Sequence, residues 1–140
     1  MSDLQRAIEI AVSAHKTQKR KDGSPYILHP LRLMMTVESD DEKMVAVLHD
    51  VVEDTEVTFS DLEAEGFSMQ VLDALRLVTH EPGQAYEDYI ADIKPNDIAR
   101  SVKLADLKDN GNLYALPQIG SKDLTRLEKY HRAFKTLTEN

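Results

Sequence analysis

Residues 41–55 read DEKMVAVLHDVVEDT. Met44, Val45, Val47, Leu48 and Val51 put apolar side chains around most of a helical circumference. The spacing predicts a helix from Glu42 to about Val52, buried on most sides. A helix of that kind belongs in the middle of a bundle. Ser39-Asp40-Asp41 just before it offers a break and a cap. Within the helix sits His49-Asp50, an adjacent polar pair in the most apolar segment of the chain.

The flanking segments carry the same period. Leu4, Ala7, Ile8, Ala11 and Val12 mark one buried face of a first helix, with Asp3 near its N-terminus. Lys16 to Ser24 is polar, Asp22-Gly23 reads as a turn, and Pro25 blocks helical continuation. LRLMMTVES, after Pro30, is a short apolar helix with proline at its start. Downstream, Thr58 or Ser60 can cap a short helix to Ala64 that Gly66 stops. Ser68 opens a helix through Val71, Leu72, Leu75 and Val78. Ala85, Tyr89, Ile90 and Ile93 define another. Pro95 fits the first turn of a helix reaching about Lys108. Asn110-Gly111-Asn112 is a turn, 113–120 reads as loop, and Ser121 caps a last helix through Leu124, Leu127, Tyr130, Phe134 and Leu137. No sustained strand-like alternation occurs. The expected architecture is all-α: one domain over 1–140, a helical bundle of about eight helices.

The 140 residues suffice for one domain with a real core. The chain has no cysteine, which excludes disulfides, thiolate metal sites and cysteine nucleophiles. Its net charge of −8 opposes broad gripping of a nucleic acid by its phosphates, so no nucleic-acid partner is expected. The one dense basic run holds Lys16, Lys19, Arg20 and Lys21. No apolar stretch is long enough to span a bilayer, and MSDLQRAIEI lacks a signal-peptide core. The expected location is the cytoplasm, with no membrane partner.

An ionised Asp50 in so apolar a helix is costly unless something pairs with it. A divalent cation is one answer; a hydrogen-bonded core histidine beside an ion-paired aspartate is the other. Residue types alone leave the two evenly matched. Further candidates are His29, before Pro30 at a helix start, and Asp106, in IARSVKLADLKDN behind Val102, Leu104 and Ala105. Imidazole and carboxylate together suit Mn, Fe, Co or Zn. His15, His80 and His131 have no positional support and read as structural or exposed.

Three segments carry a resemblance: AHKTQKRKDGSPYILHP (14–30), AVLHDVVEDT (46–55) and SVKLADLKDN (101–110). With His29, His49-Asp50 and Asp106 in that order, they resemble the H…HD…D signature of the HD-domain phosphohydrolases. More narrowly they are similar to the hydrolase domain of the RelA/SpoT alarmone enzymes and to the single-domain small alarmone hydrolases. The resemblance covers nearly the whole chain. It implies a helical HD fold with one divalent metal ion, usually Mn2+, on His29, His49, Asp50 and Asp106. It implies an acidic catalytic pair at Glu53 and Asp54. It places the nucleotide against Arg20 and Lys21, with Asn110 after the last metal aspartate. Apart from the resemblance, Tyr26 is a further substrate-binding candidate, as readily core as pocket. A hydrolase domain standing alone, with no synthetase or regulatory domain, is expected.

The implied reaction is removal of the 3′-pyrophosphate from guanosine tetra- or pentaphosphate. A metal would acidify water and neutralise the attacked phosphoryl group, so that a polyanion binds an acidic protein. Glu53 and Asp54 lie at i+4 from His49 and Asp50 and so share their helix faces. Two acids at a helix C-terminus, where negative charge is disfavoured, ask for a function. Enzymes of the RelA/SpoT type commonly have Arg directly after the last metal aspartate and His before the asparagine. Here those positions are Leu107 and Asp109. Two other readings therefore stand: an HD phosphohydrolase for another nucleotide or phosphate ester, and a metal- or nucleotide-binding module without turnover.

Overall fold

The computed structural model describes residues 2–140. Its elements are α1 (Leu4–Ala14), α2 (Leu28–Thr36), α3 (Asp40–Leu48), α4 (Val51–Asp54), α5 (Phe59–Ala64), α6 (Met69–Val78), α7 (Tyr86–Ile93), α8 (Asp97–Asn110) and α9 (Ser121–Thr138). A short 3-10 turn, Leu113–Ala115, precedes α9. Among the described residues there is no strand; a single antiparallel bridge joins Lys19 to Pro25. The all-α expectation holds.

The helix starts follow from their caps. Asp3, Ser39, Thr58, Ser68 and Asn96 each accept a hydrogen bond from a first-turn backbone N–H. Ser39 with Glu42, and Thr58 with Asp61, make reciprocal capping boxes. Gly66, after α5, takes φ +89°, a backbone state that other residues enter only at a steric cost.

The expected helix from Glu42 to Val52 is interrupted where the His-Asp pair falls. α3 ends at Leu48, Asp50 adopts φ −105° and ψ 2°, and α4 restarts at Val51. The cause is local. The Ala46 carbonyl accepts from the His49 backbone N–H at 3.5 Å and from His49 Nδ1 at 2.7 Å, so the ring competes for a ladder acceptor. Smaller differences lie at other ends. α2 begins at Leu28, two residues ahead of Pro30, which still falls in the first turn where an N–H has no partner. Pro95 lies outside α8, whose cap is Asn96, and Gly120 rather than Ser121 caps α9.

α3 is the axis of the bundle. It packs against α1, α2, α6 and α8, while α7 and α8 support α9. Val45, Ala46, Val47 and Leu48 are wholly buried, as the apolar run demanded. Leu33 of α2 and Val102 of α8 close on it at 1% exposure each, along with Leu75 of α6, also at 1%. This places the ends of α3, α2 and α8 beside each other.

Leu33→Ala should cost about 2–5 kcal/mol, because it removes a fully buried side chain between packed helices. Ser39→Ala should cost about 1 kcal/mol through the lost cap. Met35→Ala, on the exposed face of α2, should be close to neutral. Urea unfolding followed by circular dichroism ranks the three; equal losses at Leu33 and Met35 would contradict this packing.

Candidate metal and nucleotide site

The break after α3 leaves His49 at a helix end with its ring turned inward at 4% exposure. A carbonyl can only accept, so Nδ1, against Ala46 O, carries the proton. Nε2 is then aimed at two carboxylates: Asp50 Oδ2 at 2.9 Å and Asp106 Oδ1 at 3.5 Å. It is buried and makes no well-directed hydrogen bond with either. A lone pair facing two carboxylate oxygens is repulsive unless a proton or a cation sits between them.

His29 repeats the arrangement from α2. Its Nδ1 is 2.5 Å from Asp109 Oδ2 and its Nε2 is 3.0 Å from Asp106 Oδ1. The ligand atoms of His29, His49 and Asp106 lie within 4.8 Å of one another. Asp50 joins through His49, and the Tyr26 hydroxyl donates to Asp50 Oδ2. All four expected metal residues thus converge from α2, the α3–α4 break and α8. Two imidazoles and two carboxylates form a donor set that fits a divalent cation of borderline hardness.

The electrostatics agree. Burial raises the Asp106 carboxyl, but Lys103 and the two imidazoles more than reverse this and hold it well below the usual range. Burial likewise opposes charge on His49, yet Asp50 and Asp106 push its pKa well above the ordinary value. The site demands positive charge at Nε2. Lys103 supplies some at the other carboxylate oxygen, with Nζ 2.8 Å from Asp106 Oδ2 and 5.1 Å above the Tyr89 ring. Asn110 Nδ2 donates to Asp106 Oδ1 at 2.8 Å.

Glu53 and Asp54 stand beside this cluster, their ligand atoms within 4.8 Å of that of Asp50. The helix restart keeps Asp54 one turn beyond Asp50, with its N–H on the Asp50 carbonyl at 2.9 Å. Glu53 also accepts from the His80 backbone N–H at 2.9 Å. Burial first, and Asp50 next, raise both carboxyls above their ordinary values. They line a cavity of about 270 Å³, together with His80, Tyr86, Tyr89, Lys103, Lys129 and Tyr130.

A second cavity, about 520 Å³, is basic. The Lys19–Pro25 bridge and the Asp22–Gly23 turn hold Arg20, Lys21 and Tyr26 on its wall, opposite Arg126 and Tyr130 of α9. Asn110 and Tyr130 border both cavities. Arg20 is not free: it donates to Asp109 Oδ2 and to Asn110 Oδ1, each at 2.9 Å. Lys21 is exposed and makes no ion pair among the described residues. Of the remaining histidines, His15 is buried against Tyr26, His131 is exposed, and His80 lines the acidic cavity.

The sequence reading missed Lys103, Lys129 and Tyr130, and it saw Asp109 only as a departure from a pattern. Lys103 and Asp109 sit three residues either side of Asp106 on one helix, so an i±3 search around that ligand would have found both.

Burial raises the Asp109 carboxyl, but hydrogen bonds from Arg32, His29 and Arg20 bring it far below the usual range. Being lower folded than unfolded, it contributes stability fully above the ordinary carboxylate range and loses it as pH falls. The melting-temperature gap between wild type and Asp109→Asn, measured without metal, should be widest near neutrality. It should begin to narrow as pH drops below about 4 and close only well below that, where the folded carboxyl also takes up its proton. A gap unchanged in acid would show that this charge adds no stability.

No family model matches the chain. A guanosine-3′,5′-bis(diphosphate) 3′-pyrophosphohydrolase of Aquifex aeolicus is 33% identical over 120 residues, 77% of this chain and 17% of that protein. The bifunctional (p)ppGpp synthase/hydrolase SpoT of Escherichia coli is 42% identical over 64 residues, 43% of this chain and 9% of that protein. The chain thus spans less than a fifth of the length of these curated relatives. A solved structure of a metazoan ortholog of SpoT, described as hydrolysing ppGpp and acting in starvation responses, superposes with a TM-score of 0.76 at 25% identity. That match covers 98% of this chain and 84% of the other. Helices, site and relatives agree, and the chain belongs to the RelA/SpoT-type HD hydrolase domains.

Proposed function

We propose that this domain hydrolyses the 3′-pyrophosphate of guanosine tetra- or pentaphosphate, using one divalent ion, Mn2+ for preference, on His29, His49, Asp50 and Asp106. The observation that carries the reading is the unsatisfied His49 Nε2, aimed at two carboxylates with Glu53 and Asp54 clustered beside Asp50. Water adds to the phosphorus attached to the 3′ oxygen, the O3′–P bond breaks, and pyrophosphate leaves with the 3′ hydroxyl restored on the nucleotide.

When bound, the ion would neutralise phosphoryl oxygens and bring the pKa of water toward neutrality. Glu53 and Asp54, whose carboxylates stand beside Asp50, orient that water and accept its proton. Lys21, Arg126 and Arg20 make the adjoining cavity positive, suited to the 5′ phosphates and the base. Tyr26 acts from the same wall through Asp50, and Asn110 through Asp106. No helix among the described residues is long and apolar enough to cross a membrane, and the cytoplasm is the compartment that suits such a substrate.

A second reading, hydrolysis of another nucleotide or phosphate ester, is favoured by one observation. Arg20 is already engaged by Asp109 and Asn110, and buried Leu107 adds no cation where relatives commonly have one. A module without turnover is disfavoured by the intact Glu53-Asp54 pair beside Asp50.

A Mn2+-supplemented screen of guanosine tetra- and pentaphosphate against common nucleotides, with products identified, separates these readings. GDP or GTP plus pyrophosphate is the expected outcome; faster cleavage of another ester would replace the alarmone by that ester. His49→Ala and Asp106→Ala should each abolish stoichiometric Mn2+ uptake and turnover. Glu53→Gln and Asp54→Asn should keep the ion and slow the chemical step roughly 10²–10⁴-fold. Lys21→Ala should raise KM with kcat little changed. Normal turnover in both acidic-pair variants would move water activation elsewhere.

A further inference from the structure

Both site histidines point Nε2 at the same carboxylate oxygen, and each needs its other nitrogen held. For His49 the backbone does this through Ala46 O. For His29 the partner of Nδ1 is a side chain, Asp109 Oδ2, at 2.5 Å. Asp109 lies one turn beyond Asp106 on α8, so one helix carries a metal residue and the group standing behind another.

We propose that Asp109 is a positioning residue of the metal site. It holds His29 with the proton on Nδ1, so that Nε2 is offered to the ion as a lone pair. An ionised carboxylate can only accept, which leaves Nδ1 as the donor. A carboxylate behind a metal-bound imidazole also makes that ligand more basic and fixes its ring. The histidine that RelA/SpoT-type enzymes commonly have at this position could not supply that charge. This chain has put an acceptor-only group there.

Two arginines hold the carboxylate in turn. Arg32 donates through Nε to Oδ1 at 2.8 Å and through Nη2 to Oδ2 at 3.0 Å, while Arg20 Nη1 reaches Oδ2 at 2.9 Å. Arg32 stands one turn after His29 on α2, so Asp109 ties α8 to α2 at the ligand itself. Its side chain is 17% exposed, and the Arg32 side chain 49%. The His29 contact is therefore the sheltered one, with Arg32 at the wet edge.

The inference rests on the metal-site reading, so its test is binding of Mn2+ alone. Asp109→Ala should weaken Mn2+ about 10–100-fold. Asp109→Asn should weaken it less. An amide oxygen can still accept from His29 Nδ1, and its NH2 then faces only the exposed arginine, which can move away. In Zn2+-loaded protein with 15N-labelled histidine, His29 should show a protonated, slowly exchanging Nδ1 in wild type and in Asp109→Asn. That signal should be lost in Asp109→Ala. A residue that merely tethered the arginines would make Asn as harmful as Ala, and that result overturns the proposal. So does wild-type Mn2+ affinity in Asp109→Ala. A wild-type protein that takes up no divalent ion removes the hydrolase reading and this inference together, whereas failure of the Asn rescue removes the inference alone.

Discussion

A carboxylate with 6% of its residue surface exposed has to be compensated, and Asp106 organises this molecule around that need. One oxygen takes Lys103, and the other takes Asn110 and faces both histidines. The partners come from α2, the end of α3 and α8. The charge balance that suits a cation is thus also what brings the three helices to a common point. Truncating any partner leaves buried charge uncompensated, so fold and site are not separable there.

The geometry is obtained by spoiling a helix. By drawing Ala46 O to its own Nδ1, the histidine ends the ladder, and the helix restarts two residues later at Val51, with Glu53 and Asp54 facing the cavity. The apolar residues before the break anchor it in the core. A local irregularity can be placed accurately because the segment leading to it is the most rigidly packed in the bundle.

Most of this was legible from the chain because its signals are local. Period, caps and stops gave the helices, and the motif segments gave His29, His49, Asp50 and Asp106, which the structure gathers at one point. The break at His49-Asp50 was not legible, since nothing in apolar spacing reports that a ring will compete for a carbonyl. The Arg20–Asp109 and Arg32–Asp109 pairs were equally hidden. They join residues 89 and 77 positions apart, and their existence depends on how α2 and the loop before it lie against α8. Tyr26 was assigned to a pocket wall, where it does lie, but its hydroxyl is spent on Asp50.

Helix α9 serves both cavities at once. α9 supplies Lys129 and Tyr130 to the acidic cavity and Arg126 and Tyr130 to the basic one, and it is anchored by Ala133 and Leu137 farther along. His29, His49, Asp50 and Asp106 all precede it in the chain, so both cavities are closed by a helix that carries none of those four residues. A loosening of α9 would therefore open both cavities together while leaving those four residues on the elements that position them.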